Sequence, residues 1–456
     1  MKKYNGRPFL LLFLAAGILL VLGHFAPEKI GNFEVKPIRL LSDVCVPETD
    51  KQLEKELASI PKVKRTSLQQ NGEGKIDGAG PAKPCPPGMV PIDDYSEGGA
   101  HGMHHFYTAL QNINDADRPV RIAYFGDSFI EGDIFTADLR GFLQDKFGGY
   151  GIGFTDMAPP FAGFRVSLPL QSGGWDVRNV LMRDSCERHR LGPTQRYALP
   201  LDGAYTVLNA TKKYPHLDYF ETASLYLKSD HPIRVSARIN NDTTLHFTTL
   251  GNNTIETLRV DQRMHRIRWN VEGGNTTTCY GTALEGRKGI VLDNFSFRGS
   301  TGLTLGRVNW NEWSTVRPYD LIILHFGLNV ASKDMLRYDT YRKQLTHSIE
   351  KLKAAYPEAS FLIVSVSDRE DKIDGELRTL PGVKALIKYQ QLIAADNQIA
   401  FWNLYEAMGG EGSIVAMSHT HPNGARLDYT HITREGGKVL ADLFFQSILF
   451  SFENDF

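Results

Sequence analysis

The sequence predicts an α/β protein: a parallel-sheet domain covered by helices on both faces, with an antiparallel β-sandwich set into the middle of its chain. Two textures carry that expectation. From about residue 101 to 163, and again from 290 to 456, short apolar runs alternate with helical patterns, which is the rhythm of a parallel sheet. Between them, residues 164–289 read as short alternating runs rich in Thr, Val, Arg and aromatics, broken by Asn, Gly and Asp turns, which is the texture of antiparallel strands.

Taken in order, residues 1–26 open with the basic "MKKYNGR" and continue with the uncharged "PFLLLFLAAGILLVLG" (8–23). A basic flank before an apolar run is an export signal or a membrane anchor. No convincing A-x-A cleavage site follows, so an uncleaved anchor in an inner membrane is expected, with the rest of the chain on the periplasmic side of a cell envelope. Residues 27–100 hold "KQLEKELASIPKVKR" and "NGEGKIDGAGPAKPCPPG", a composition that buries little and suits a linker with one short helix.

The first part of the α/β domain, 101–163, begins with a helix, then the apolar run "VRIAYFG" (120–126) as a buried strand, then "DIFTADLRGFLQDKFG" (133–148) as a helix with a glycine stop. Stretches such as "IRVSARINNDTTLHFTTLG" and "ETLRVDQRMHRIRWNVEGG" fill the antiparallel insert. The last segment gives strands at "YDLIILHFG", "SFLIVSVSD" and "IAFWNL", helices at "YRKQLTHSIEKLKAAYP" and "VKALIKYQQLIAADN", and a final helix over about 435–450.

Composition bounds the partners. The chain of 456 residues is 42% apolar and carries 51 basic against 52 acidic residues, a formal charge of -1. No basic field recommends nucleic acid as a partner. Cys45, Cys85, Cys186 and Cys279 lack the C-x-x-C pairing of a zinc site; in an oxidising compartment they allow two disulfides, and unpaired thiols remain the other reading. Five N-x-[ST] sequons, at Asn209, Asn241, Asn252, Asn275 and Asn294, read as turns and strand ends. The histidines of "HGMHH" (101–105) have no carboxylates or cysteines at supporting spacing and read as a helix start, so no metal and no organic cofactor is expected.

The chemistry starts from "YFGDSFIEGD" (124–133), which places Ser128 just beyond a strand end. A serine hydroxyl is a poor nucleophile near neutral pH and needs a general base, which in turn needs an acceptor to fix its tautomer. "RLDYTHITREGG" supplies Asp428 and His431, spaced so that a short turn directs the carboxylate at Nδ1 and leaves Nε2 facing outward. Charge developing on a carbonyl oxygen needs N–H donors; the candidates are Ser128 N–H, Gly299 in "NFSFRGSTG" and the side-chain amide of Asn329 past "LIILHFG". Asp127 and Asp133 are expected to support, the first by bonding the Ser128 loop and the second by capping the following helix. His325, beside Gly327, is expected to line the site. Trp175, Trp269, Tyr226 and Tyr280 have faces suited to sugar rings, though sandwich cores use the same residue types.

The order Gly126-Asp127-Ser128, Gly299, Gly327-Leu328-Asn329 and Asp428-Tyr429-Thr430-His431 resembles the SGNH/GDSL hydrolases. That resemblance implies a flavodoxin-like parallel sheet, Ser128 as nucleophile, His431 as base, Asp428 as its orienter, and Ser128, Gly299 and Asn329 as the oxyanion hole. More narrowly, "GDSFIEGDIFTADLR" and "DYTHITREGGKVLAD" look like segments of bacterial peptidoglycan O-acetylesterases, which carry a carbohydrate-binding-module-like β-sandwich within the hydrolase domain. Phe129 departs from the polar or aliphatic residue often found after the serine. The resemblance implies an exported esterase that removes acetyl from an O-acylated glycan, with O-acetylated peptidoglycan as the substrate of the narrower resemblance. A polysaccharide O-acetyltransferase using the same triad and a non-catalytic glycan-binding protein are the rival readings.

Overall fold

Strands buried on both faces must be apolar along their whole length, and "VRIAYFG" meets that demand: all seven residues are buried in the middle of a sheet. The computed structural model describes residues 29–30, 33–34, 48–63, 85–96, 102–373 and 375–455. In chain order the elements used below begin with α1 (Glu48–Ser59), β1 (Ile92–Asp93), α2 (His104–Gln111), β2 (Val120–Gly126) and α3 (Thr136–Phe147). Nine antiparallel strands follow, β3 (Gly153–Thr155), β4 (Leu170–Asn179), β5 (Arg196–Asn209), β6 (Phe220–Lys228), β7 (Arg234–Ile239), β8 (Thr243–Thr248), β9 (Glu256–Met264), β10 (Arg266–Glu272) and β11 (Thr278–Glu285). The chain then runs through β12 (Ile290–Ser296), β13 (Leu321–His325), α4 (Asp339–Ala355), β14 (Ser360–Val364), the hairpin β15 (Glu370–Ile373) and β16 (Glu376–Thr379), α5 (Pro381–Asp396), β17 (Ala400–Trp402) and α6 (Arg434–Asp455).

The central sheet has the order β12-β2-β13-β14-β17-β1, parallel except for β1. Register decides what this sheet can do. Gly126 is opposite both Ser296 and His325, so β2, β12 and β13 end level, and the residues after each emerge along one edge. In an open α/β sheet that edge is where ligands bind. Helix α6 closes the sheet from one side, with the Phe444 ring centroid 4.5 Å from that of Trp402 and Phe445 5.7 Å from Phe142 of α3, both pairs tilted.

The segment expected to be a linker is partly built into this domain. Its one expected short helix is α1, whose Leu57 carbonyl accepts Lys388 Nζ at 2.6 Å, and Ile60 just beyond is buried. Strand β1 pairs antiparallel with β17 and buries Ile92, Asp93 and Tyr95, which covers a sheet edge that would otherwise be open. Two residues are too few to show a period, and the surrounding Pro and Gly conceal them. The expected N-terminal anchor lies outside the described residues; among the described residues no helix is long and apolar enough to cross a membrane.

The antiparallel strands are hydrogen-bonded into one sheet, ordered β8-β7-β10-β5-β11-β6-β9, with β4 added on β5 and β3 on β11. At 14 residues β5 is long enough to run from one half of this sheet to the other, meeting β11 at the Ala198–Cys279 pair. The sheet folds over a second core: Trp269 Nε1 on β10 donates to Thr282 Oγ1 on β11 at 3.2 Å, although these strands are not neighbours. Trp269, Tyr226 and Tyr280 are buried, so they are core and not sugar platforms, and the Trp175 indole N–H donates to Tyr205 O. Cys186 and Cys279 are unbridged thiols, Cys279 wholly buried, so the two-disulfide alternative does not hold; Cys45 lies outside the described residues. Asn294 is buried and its side chain donates to Ile130 O, which closes that sequon to modification.

A buried charge network ties the two sheets together. Arg317 reaches Asp293 of β12 (Nε–Oδ2, 2.6 Å), Glu285 of β11 (Nη2–Oε1, 2.6 Å) and the Tyr226 hydroxyl of β6 (2.9 Å), while Arg121 of β2 holds Glu285 at 3.1 Å. Burial pushes the Glu285 carboxyl up, but Arg121 and Arg317 outweigh it and hold it down at about 2.

Candidate active site

Ser128 stands in the turn after β2, and His431 in the turn before α6. The structure brings them together: Ser128 Oγ lies 3.3 Å from His431 Nε2. The other ring nitrogen, Nδ1, is 2.9 Å from Asp428 Oδ2, and Asp428 Oδ1 accepts the backbone N–H groups of Thr430 (3.0 Å) and His431 (2.9 Å). The aspartate therefore builds the turn and holds the ring with the same carboxylate. Burial raises the Asp428 carboxyl, but the His431 and Thr430 donors and the imidazole outweigh it, leaving Asp428 below the usual carboxylate range and ionised at neutral pH.

One close approach sets the distance between the two turns, and a second seats α6 on the segment that leads into the His431 turn. Gly437, in the first turn of α6, sits where a Cβ would stand 2.0 Å from the Ile134 carbonyl, and a Cβ on Gly436 would meet Gly424 O at 1.8 Å. Only glycine lets the start of α6 press against the loop that leaves Ser128. This is a physical reason for the "REGG" that follows His431.

The expected N–H donors converge on the same place. Ser128 N–H and Gly299 N–H meet no protein acceptor among the described residues, and Gly299 holds a left-handed φ of +78° with open space around its Cα. Asn329 Nδ2 donates to Ser300 O at 3.1 Å and more loosely to Asp127 Oδ2 at 3.3 Å. Ser128, Gly299, Asn329, Asp428 and His431 line one open cleft of about 370 Å³.

Asp127 is fully buried under the serine, where its Oδ1 accepts Phe129 N–H at 3.0 Å. Burial lifts its carboxyl to about 6, against the pull of the Phe129, Gly327 and Leu328 N–H groups. That places it in the loop-supporting role expected from the sequence. Asp133 departs from its expected role as a helix cap. It is a buried hub that accepts Thr136 Oγ1 (2.9 Å), Arg140 (3.0 Å), Arg165 (3.0 Å) and Asn294 Nδ2 (2.7 Å), and no side chain caps α3. Burial raises its carboxyl, yet the two guanidinium groups hold it far below the ordinary value.

His325 does not line the cleft. It is buried, its Nδ1 is 3.0 Å from the Tyr124 hydroxyl, and burial lowers its imidazole to about 3, so it is neutral core. The unusual Phe129 packs on it, ring centroids 4.7 Å apart, which makes Phe129 a packing residue and not a cleft residue. Of the "HGMHH" group, His104 opens α2 and His105 lies 3.5 Å from Asp320; among the described residues no group of three or more His, Cys, Asp or Glu is placed to hold a metal.

Sequence reasoning did not place Glu131, Ile134, Phe164, Arg298, Arg426 or Ile432 in the cleft. Arg298 pairs with Glu131 and lies over the exposed Phe161 ring at 4.6 Å; Phe164 lines the wall; Arg426 stands beside the His431 turn. The positions of Glu131 and Arg298, close to Ser128 and next to Gly299, were the available signal.

No family model matches this chain, and no curated protein matches it. Among solved structures, a peptidoglycan O-acetylesterase superposes with a TM-score of 0.64 at 19% identity, covering 79% of this chain and 99% of its own. A lipase/acylhydrolase from Enterococcus faecalis (21% identity, 35% of this chain and 76% of its own, TM-score 0.27) and a family two carbohydrate esterase from Cellvibrio japonicus (10% identity, 63% and 99%, TM-score 0.26) overlay too loosely to carry an argument. The chain therefore has the fold of that peptidoglycan O-acetylesterase structure.

Proposed function

We propose that this chain is a serine esterase that removes acetyl groups from carbohydrate hydroxyls through an acyl-serine intermediate. The observation that carries the reading is the relay of Ser128 Oγ to His431 Nε2 (3.3 Å) and His431 Nδ1 to Asp428 (2.9 Å), opening on a cleft with two unengaged backbone N–H groups. Ser128 Oγ attacks the ester carbon as its proton passes to His431 Nε2; the ionised Asp428 stabilises the imidazolium and fixes the ring. Ser128 N–H and Gly299 N–H, joined by Asn329 Nδ2 as its long bond to Asp127 gives way, receive the developing oxyanion. His431 then protonates the departing sugar oxygen, and in the second half it takes a proton from the water that releases acetate.

The glycan preference and the place of action belong to the same proposal. The fold shared with a peptidoglycan O-acetylesterase supports a cell-wall glycan, and the basic flank followed by the apolar run 8–23 supports anchoring at the envelope, with the antiparallel strands acting as an inserted module within a hydrolase domain split into 101–163 and 290–456. The test is acetate release from O-acetylated peptidoglycan and p-nitrophenyl acetate by the parent and by Ser128→Ala. The parent is expected to release one acetate per ester consumed and the variant to fall by roughly 10³-fold or more; equal rates would remove Ser128 from the reaction.

A further inference from the structure

The charged side chains that line the cleft are paired, with one exception. Asp428 holds His431, and Arg298 holds Glu131 with its Nε 2.9 Å from Oε2. The Arg426 guanidinium meets no acceptor among the described residues, yet it lines the same cleft as Ser128. An exposed arginine is usually just solvated, so its placement has to argue for more. Arg426 N–H donates to His431 O at 2.8 Å, its carbonyl accepts Tyr429 N–H at 3.1 Å, and the preceding residue, Ala425, bridges to Ile432. The turn that positions the imidazole thus fixes the Arg426 backbone across from it, so the side chain leaves a fixed point at the cleft wall.

An unpaired guanidinium offers a planar fork of N–H donors that matches a carboxylate bidentately. The cleft around it is also amphipathic: Phe164, Ile134 and Ile432 line it with apolar surface, which suits the face of a sugar ring. We propose that Arg426 is a specificity-determining residue that binds a carboxylate carried by the substrate glycan near its acetyl ester. The preferred substrate class is then an O-acetylated acidic glycan over a neutral one. This rests on the esterase reading above and adds to it the charge of the substrate.

The experiment compares kcat and KM for acetate release from three acetylated polymers: polygalacturonate, with carboxylates on the ring; peptidoglycan, with carboxylates on its peptides; and xylan, which is neutral. The parent, Arg426→Gln and Arg426→Lys are each assayed at low and high salt. The parent is expected to favour at least one acidic polymer over xylan by tenfold or more in kcat/KM, with the preference shrinking as salt screens the contact. Arg426→Gln is expected to lower that preference at least tenfold, mainly through KM, and Arg426→Lys to recover part of it. The acidic polymer that responds identifies whether the carboxylate is ring-borne or peptide-borne. An equal fall on all three polymers, which a merely structural role would give, or an unchanged preference overturns the proposal. Failure of the underlying reading looks different: the parent would release acetate from none of the three.

Discussion

Ser128 Oγ and His431 Nε2 lie 3.3 Å apart although 303 residues separate them in the chain. The fold makes that contact in two steps. Parallel pairing sets the end of β2 level with β12 and β13, and Gly437 at the start of α6 lets the His431 turn come down onto the loop after Ser128. Each step yields its own prediction.

Asp428 fixes which imidazole nitrogen faces the serine. Replacing it with Asn keeps the size but removes the charge that stabilises the imidazolium, so kcat on p-nitrophenyl acetate is expected to fall by roughly 10²–10⁴-fold with little change in KM. Steady-state kinetics check this. A loss confined to KM would remove Asp428 from the proton relay.

Gly437 marks the point of closest approach between α6 and the Ser128 loop. A methyl group there would sit 2.0 Å from the Ile134 carbonyl, so α6 must shift and carry His431 with it. Gly437→Ala is expected to cost about 1–3 kcal/mol of stability and at least tenfold in kcat. Denaturant unfolding beside kinetics measures both, and an unperturbed variant would show that Gly437 does not set the distance.

Asp127 couples the serine loop to pH. Its folded carboxyl is raised to about 6, so the stability it contributes is complete below the ordinary aspartate value near 4 and is lost as pH rises through about 6. Asp127→Asn is expected to abolish that part of the slope between pH 4 and 6.5 in thermal melts. It is also expected to lower kcat, since an amide in place of the carboxylate presents N–H to the Asn329 amide, which now donates to Asp127. An identical pH slope in parent and variant would contradict the assignment.

Arg317 neutralises two buried carboxylates between the parallel and antiparallel sheets. Arg317→Met leaves Asp293 and Glu285 short of a partner and is expected to cost about 3–5 kcal/mol in urea unfolding. A loss below about 1 kcal/mol would mean that Arg121 alone supports the junction.

The elements that the sequence made visible are those whose burial is long and uniform. β2, β13 and β14 are apolar runs bounded by turns, and α3, α4 and α5 show a helical period, so their existence and the parallel sheet could be read directly. β12 was harder, because Asp293 and Asn294 interrupt its apolar pattern in order to hold Arg317 and the loop after Ser128; those interruptions are satisfied only by partners distant in sequence. The same reason hid the role of Asp133, whose local spacing suggests a cap while its partners Arg165 and Asn294 come from other parts of the chain. Ser128, Asp428 and His431 were legible because the four blocks stand in an order that resembles the SGNH/GDSL hydrolases; the strand-end serine and the close Asp–His pair are each weak signals alone. Arg426 has none, since its significance comes from facing a cleft that exists only after folding.

Activation of Ser128 by His431 is the step on which the proposed esterase reaction depends. The most direct measurement is stoichiometric labelling with a fluorophosphonate probe, located by peptide mass spectrometry in the parent, Ser128→Ala and His431→Ala. Labelling of the parent at Ser128 alone, absent from Ser128→Ala and slowed at least a hundredfold in His431→Ala, is the result predicted. Labelling at another residue, or at Ser128 with the same rate when His431 is gone, would contradict it.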